Sequence, residues 1–180
     1  MNTNEILREL IADSAIIPIE NEKGQSICNL PEEASDYTLK MWHLPKDAFV
    51  VKCDRFPDTG DVFFRGKNME CKKADYVIIS ESKNVIMFFE LARSSDTKTE
   101  KESIAQLKGA SCIIEYCGHI AASFFDSPDI FSGLERRYYI VRYSKSAKRT
   151  FEQLQTAGSW KPEDARKIGG TFVSFESLML

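Results

Sequence analysis

The sequence lacks several features that define whole classes of protein. None of its apolar runs approaches the roughly 20 residues that a membrane-spanning helix needs, so we expect no membrane association. Its first residues carry no basic stretch followed by an apolar segment and a small-residue cleavage site, so they do not resemble a secretory signal. We therefore expect a cytoplasmic protein.

Cysteine and histidine are also too few, or wrongly spaced, for common structural sites. The five cysteines form no CxxC pair, and an odd number argues against a disulfide framework. His43 and His119 are the only histidines, and neither lies at ligand spacing from a cysteine. We expect reduced cysteines and no zinc site.

The chain also lacks an excess of positive charge. Its formal net charge is −3, so any contact with nucleic acid must depend on a local basic surface. The candidates are the segment from Lys145 to Arg149, the group Lys161, Arg166 and Lys167, and the pair Arg136 and Arg137. Short clusters of this kind are more often solvated surface than binding surface.

What is present is typical of one globular domain covering residues 1–180. Hydrophobic residues make up 43% and charged residues 28%, which are ordinary globular values. Residues 4–13 carry one apolar stripe and predict a short helix. Residues 18–47 contain several prolines, which indicates irregular structure with a short helix near 32–41.

From Ala48 onward the pattern changes to short runs that predict strands. DAFVVKC, DVFFRG, ADYVIIS and VIMFFELA are rich in β-branched and aromatic residues, and turn-forming residues separate them. Two overlapping capping boxes at Thr97 and Thr99 then predict the start of a long helix that ends near Phe124. RRYYIVRYS predicts a strand, SAKRTFEQLQ a helix, Pro162 to Gly169 another helix, and TFVSFESL a last strand. This order predicts an α/β fold with a mixed sheet flanked by helices.

The hairpin between ADYVIIS and VIMFFELA brings two acids together. With Ser82 and Lys83 at the centre of the turn, Asp75 pairs with Glu90. Directly opposed side chains share one face of a sheet with Cβ atoms about 5 Å apart, so two carboxylates there repel each other. A bound Mg²⁺ would offset the repulsion, and so would a shared proton. The alternatives are a register slip of one residue, which sends the acids to opposite faces, and an exposed strand end.

These residues resemble the motif of the PD-(D/E)XK phosphodiesterases, the restriction-endonuclease-like superfamily. The matching residues are Asp75 in KADYVIIS, Glu90 in FFELAR, and Gln106-Leu107 in IAQLKGA, and the resemblance covers roughly residues 48–144. It implies an αβββαβ core with a mixed sheet. It also implies that Asp75 and Glu90 hold Mg²⁺ or Mn²⁺ and that nucleic acid is the partner.

The sequence differs from this family at one catalytic position. The family places a lysine two residues after the second acid, where this chain has Ala92. In the predicted register Lys73 lies opposite Ala92, which makes Lys73 a candidate replacement. Lys98, Lys101 and Arg93 are further candidates, although arginine is a poor general base because it stays protonated.

Three other acids are alternative candidates for metal ligands. Asp58 follows a proline, but FPDTGD has the composition of a turn, so we prefer Asp75 as the first acid. Glu9 and Glu70 could add a third ligand, although Glu70 has the opposite strand parity to Asp75.

Two functions follow from these observations. The first is a metal-dependent nuclease in which Asp75 and Glu90 bind the metal and Lys73 or Lys98 assists. The second is a catalytically inactive domain of the same fold that binds protein or nucleic acid, which Ala92 and the acidic net charge favour. In either case specificity would come from loops, a protein partner or a homodimer.

Overall fold

The computed structural model describes residues 1–33, 36–58, 60, 63–93, 100–143 and 160–180. The helices are α1 (Thr3–Leu10), α2 (Glu100–Phe124) and α3 (Phe175–Leu178). The strands are β1 (Glu20–Glu22), β2 (Gln25–Glu32), β3 (Tyr37–Trp42), β4 (Phe49–Lys52), β5 (Tyr76–Ser80), β6 (Val85–Arg93), β7 (Glu135–Tyr143), β8 (Arg166–Gly169) and β9 (Phe172–Ser174). No helix in these ranges combines the length and the apolarity that a membrane span requires.

A five-stranded mixed sheet forms the centre of the molecule, in the order β4-β5-β6-β7-β8. The pairs β4–β5 and β5–β6 are antiparallel, whereas β6–β7 and β7–β8 are parallel. Helix α2 connects β6 to β7, as a parallel pair requires. Every residue of β5 is buried, which explains why its sequence is a continuous apolar run.

A second sheet of four strands, in the order β1-β2-β3-β9, occupies the region that we predicted to be irregular. The prediction of a short helix near residues 32–41 was therefore wrong. Tyr37, Leu39 and Met41 of β3 are buried and alternate with more exposed residues, which is the two-residue period of a strand. Pro31 within β2 concealed the signal, because proline usually argues against a strand interior.

Two predictions near the C-terminus also need correction. Pro162–Asp164 form only a short 3₁₀ helix, and the following residues pair in parallel with β7 as strand β8. The predicted last strand is divided between β9 and helix α3, which begins at Phe175.

The other predicted elements lie in the middle of the chain and in its loops. In the described part of the second predicted strand, Phe63 lies in a turn and Phe64 forms one isolated bridge to Gly60, so no regular strand is present in residues 63–66. The predicted helix at residues 146–155, Thr97, Thr99 and the segment 145–149 lie outside the described residues.

Two apolar clusters hold the layers together, one on each face of the five-stranded sheet. The first joins that sheet to the four-stranded sheet and includes Leu39, Ile78 and Phe89. The second joins it to α2 and includes Val77 and Phe88. The result is a layered α/β structure in which α2 covers one face of the central sheet.

Helix α1 starts with a complete capping box. Asn2 Oδ1 accepts a hydrogen bond from Glu5 N at 3.0 Å, and Glu5 Oε2 accepts one from Asn2 N at 2.8 Å. These bonds satisfy backbone donors that a helix start would otherwise leave without partners. Ile6 and Leu7 are buried, as the predicted stripe required.

Candidate functional site

The register of the β5–β6 hairpin is the one predicted from its turn. Tyr76 pairs with Phe89, and Ser80 pairs with Val85, across the turn centred on Ser82 and Lys83. Extended by one residue beyond β5, this register sets Asp75 opposite Glu90. The alternative register, shifted by one residue, does not occur in the β5–β6 pair.

The two acids lie on the face of the sheet that α2 covers. Side chains alternate along a strand, and Val77 and Phe88 both belong to the apolar cluster beneath α2. Asp75 has the parity of Val77, and Glu90 has the parity of Phe88. Extended to Asp75, which lies one residue before β5, the same alternation assigns both carboxylates to the helix side.

Asp75 is tied to both neighbouring strands. Its Oδ2 accepts a hydrogen bond from Leu91 N at 2.6 Å, and its carbonyl oxygen accepts one from Cys53 N at 2.8 Å. These contacts fix the carboxylate against β6. Asp75 is half-buried, so its surroundings include water as well as protein.

Glu90 is fully buried in the central strand of the sheet. Its exposed fraction is 0%, and β5 and β7 flank its strand on either side. Burial of a carboxylate is costly unless charged or polar groups compensate for the lost water. Glu90 therefore requires compensating partners from the protein or from a bound ligand.

Helix α2 approaches the chain just before Asp75 very closely. Gln106 Nε2 donates a hydrogen bond to the carbonyl oxygen of Lys73 at 3.1 Å. A Cβ atom at Gly109 would lie only 1.7 Å from the carbonyl oxygen of Lys72, so only glycine fits there without a shift of the backbone. The sequence indicated Gln106 through the family resemblance, but it carried no signal for the contact at Gly109.

Two buried oxygen atoms of α2 lie on this side of the helix. Ser103 Oγ and Gln106 Oε1 have no hydrogen-bond partner among the described residues. Ser103 is itself completely buried. Buried polar atoms usually find a partner, so these oxygens suit a polar ligand or an ordered water.

The predicted assisting cations occupy different surroundings. Lys73 Nζ donates a hydrogen bond to the carbonyl oxygen of Phe56 at 2.8 Å. Ala92 is 2% exposed, so the family position of the lysine holds a small buried side chain. Lys101 is exposed near the start of α2, and Lys98 lies outside the described residues. The roles of Lys73 and Lys98 remain predictions.

The other acids considered from the sequence serve local structure. Asp58 Oδ1 accepts a hydrogen bond from Gly60 N at 3.0 Å, as expected of a turn residue. Glu70 Oε2 accepts one from Asn68 N at 2.7 Å. Across the described ranges, no group of three or more histidine, cysteine, aspartate or glutamate side chains is placed to hold a metal.

Of the five basic residues from the predicted clusters that the structure describes, three form ion pairs within the protein. Arg137 is buried and its Nε donates to Glu135 Oε1 at 2.9 Å, while Lys167 Nζ lies 2.8 Å from Glu100 Oε2. Arg136 forms an ion pair with Glu115. These pairs compete with any phosphate contact.

Asp75 and Glu90 nevertheless supply a donor set that suits a hard divalent cation. Mg²⁺ is usually held by one or two carboxylates and keeps several waters, so a third protein ligand is not required. Two carboxylates on one face, with buried oxygens of α2 on the same side, fit that pattern. In comparisons with protein-family models, curated proteins and solved structures, nothing matched this chain.

Proposed function

We propose that this protein is a metal-dependent nuclease in which Asp75 and Glu90 hold Mg²⁺ or Mn²⁺. The observation that carries the proposal is the β5–β6 register, which pairs Tyr76 with Phe89 and, extended by one residue, brings Asp75 opposite Glu90. Two opposed carboxylates repel each other unless a cation or a proton lies between them. The complete burial of Glu90 makes that requirement stronger.

The order of the secondary structure elements supports the same proposal. Elements α1, β4, β5, β6, α2 and β7 follow one another as αβββαβ, interrupted only by the insertion of β1 to β3 and short 3₁₀ turns. This is the order that the resemblance to the PD-(D/E)XK phosphodiesterases implies. Gln106, the matching residue of the helix, contacts the backbone that leads into Asp75.

Each residue has a definable part in the proposed reaction. The amide of Leu91 orients the Asp75 carboxylate, and the buried strand holds Glu90 in a site from which bulk water is excluded. A divalent cation, when bound, lowers the pKa of a coordinated water and polarises the phosphodiester. Lys73 would have to leave the carbonyl oxygen of Phe56 before it could neutralise charge at the phosphate.

The test is cleavage of single-stranded and duplex DNA and RNA in Mn²⁺. We expect Asp75→Asn and Glu90→Gln each to reduce the rate by at least about 100-fold, because each removes a charge on which metal binding depends. Glu81→Gln is the matched control, since Glu81 is an exposed acid at the turn of the same hairpin. Equal cleavage by the wild type and both acid variants would refute the proposal.

Ala92 favours a second function, a catalytically inactive domain that binds protein or nucleic acid. A buried methyl group at the position of the family lysine removes the cation that assists the attacking water. This alternative predicts no cleavage by the wild type and no change in partner binding when Asp75 or Glu90 is neutralised. The same set of variants therefore separates the two functions.

A further inference from the structure

A pocket lined by aromatic rings lies between α2 and the segment that leads into β5. Its volume is about 490 Å³, within the range of roughly 300–1,000 Å³ that is usual for ligand sites. Its walls include Phe56, Phe63, Phe64, Tyr116, Lys72 and Lys73. The metal proposal makes no use of this pocket.

The rings of this pocket are unusually open to solvent. Phe63 is 80% exposed, Phe64 46% and Tyr116 55%. Phe63 and Phe64 pack edge to face at 4.9 Å between ring centroids, and Phe56 and Tyr116 do so at 6.3 Å. Edge-to-face packing leaves at least one ring face of each pair for a flat group to stack on. Exposed aromatic rings clustered in this way indicate a binding surface.

The charge of the same segment is strongly positive. Residues 63–73 contain Arg65, Lys67, Lys72 and Lys73 against a single acid, Glu70, in a chain whose net charge is −3. Glu70 is itself engaged, since hydrogen bonds from its own amide and from Asn68 N lower the pKa of its carboxyl. A polyanion is the partner that this composition suits.

These cations differ from seven other basic residues of the molecule, which are engaged by acids. In the described ranges, Lys40, Lys52, Arg55, Lys108, Arg136, Arg137 and Lys167 all form ion pairs. Within those same ranges, none of the four cations of segment 63–73 does so. Three of the four, Arg65, Lys67 and Lys72, are exposed. They can bind phosphate without first breaking an internal ion pair.

The pocket adjoins the segment that leads into Asp75. Lys73 lines the pocket and precedes Asp75 by two residues, and Gln106 of α2 contacts the Lys73 carbonyl oxygen. The close approach of Gly109 to Lys72 fixes the helix against the floor of the pocket. A chain bound in the pocket would pass from these rings toward Asp75.

We infer that this pocket binds single-stranded nucleic acid, with unpaired bases stacked on Phe63, Phe64 and Tyr116 and phosphates held by Arg65, Lys67 and Lys72. Stacking on aromatic side chains needs bases whose faces are open, which a duplex does not offer. This inference rests on the proposed function in one respect: it names single-stranded nucleic acid as the substrate that the proposed nuclease cleaves. Binding itself requires no metal.

Fluorescence anisotropy in EDTA tests the inference without cleavage. The probes are labelled oligothymidylate and oligouridylate of about 12 nucleotides, and a duplex of the same length. We expect the single strands to bind more tightly than the duplex, and comparison of the two strands shows whether DNA or RNA is preferred. Phe64→Ala and Tyr116→Ala should each weaken single-strand binding by about 5- to 100-fold. Lys72→Gln should reduce the salt dependence of log Kd by about 0.7.

The matched controls are Phe124→Ala, an 81% exposed ring at the far end of α2, and Lys83→Gln at the hairpin turn. Neither substitution should change the affinity for the single strands. Failure of both single strands to bind, or binding that the pocket variants leave unchanged, would overturn the inference and leave the pocket as a protein contact. Loss of cleavage in Asp75→Asn with binding retained would support both proposals. Binding without any wild-type cleavage would overturn the nuclease proposal alone.

Discussion

The two ends of the β5–β6 hairpin both carry carboxylates, in opposite surroundings. At the turn end, Asp47 accepts hydrogen bonds from Ser82 N at 2.7 Å, Ser82 Oγ at 2.5 Å and Ser80 Oγ at 3.0 Å. At the open end, Asp75 accepts a hydrogen bond from Leu91 N at 2.6 Å, and the completely buried Glu90 is the residue that the extended register sets opposite it. Three donors stabilise Asp47, whose partners among the described residues include no second acid, whereas two neighbouring acids, one of them completely buried, gain from a cation.

The carboxylate of Asp47 therefore has a structural role, whereas we propose a chemical role for the carboxylates of Asp75 and Glu90. Asp47 orders the turn, and the turn sets the register that brings Asp75 and Glu90 together. Helix α2 then holds the open end through Gly109 and Gln106. A substitution at Asp47 should therefore lower stability with little effect on cleavage, whereas a substitution at Gly109 should lower both.

The largest effect on stability is expected at Gly109. Gly109→Ala should lower the free energy of unfolding by about 2–3 kcal/mol, because overpacking against the Lys72 carbonyl oxygen outweighs the better helix propensity of alanine. Cleavage should fall as well, since the shift would move Gln106 away from Lys73. Urea unfolding and the Mn²⁺ cleavage assay measure the two effects.

Gly118→Ala in the same helix is the matched control. A Cβ atom there would lie 3.1 Å from side-chain atoms of Asp129 and the buried Phe131, a far milder conflict than the 1.7 Å approach at Gly109. We expect a change in unfolding free energy below about 1 kcal/mol. Equal losses at Gly109 and Gly118 would show that the approach of α2 to Lys72 is not a special constraint.

A smaller effect is expected at the turn end. Asp47→Ala should lower the free energy of unfolding by about 1–2 kcal/mol, because it removes charge-assisted hydrogen bonds from a partly exposed group. Cleavage by the folded variant should stay near the wild-type rate. A large loss of cleavage at a temperature where the variant is folded would contradict a purely structural role for Asp47.

The contribution of Asp47 should also depend on pH. Partial burial raises the pKa of Asp47, but hydrogen bonds from Ser82 and Ser80 outweigh it and lower the pKa below its ordinary value. A lowered pKa stabilises the folded state above about pH 4, and the contribution is lost as the pH falls through the folded value. The difference in stability between the wild type and Asp47→Ala should therefore shrink below about pH 4.

The hairpin could be predicted from the sequence because several local signals agree. Buried runs at Tyr76–Ser80 and Val85–Phe89 flank a four-residue turn, and Asn84 takes a positive φ of 53° that asparagine tolerates. Turn length and apolar pattern together leave one register. The opposition of Asp75 and Glu90 follows from that register.

Other elements depend on contacts that no local pattern reveals. Pro162-Glu163-Asp164 has the composition of a helix start, yet parallel pairing with β7 draws the next residues into strand β8. Three-residue strands such as β1 and β9 are too short to show a period. The contact between Gly109 and Lys72 joins distant parts of the chain, and the pairing of Phe63 and Phe64 with Tyr116 in one pocket is likewise a product of the fold.

A crystal soaked in Mn²⁺, with an anomalous difference map calculated at the manganese edge, tests the central claim most directly. The account predicts an anomalous peak in contact with carboxylate oxygens of both Asp75 and Glu90, and its loss in Glu90→Gln. A wild-type map with no peak at these two carboxylates would contradict it.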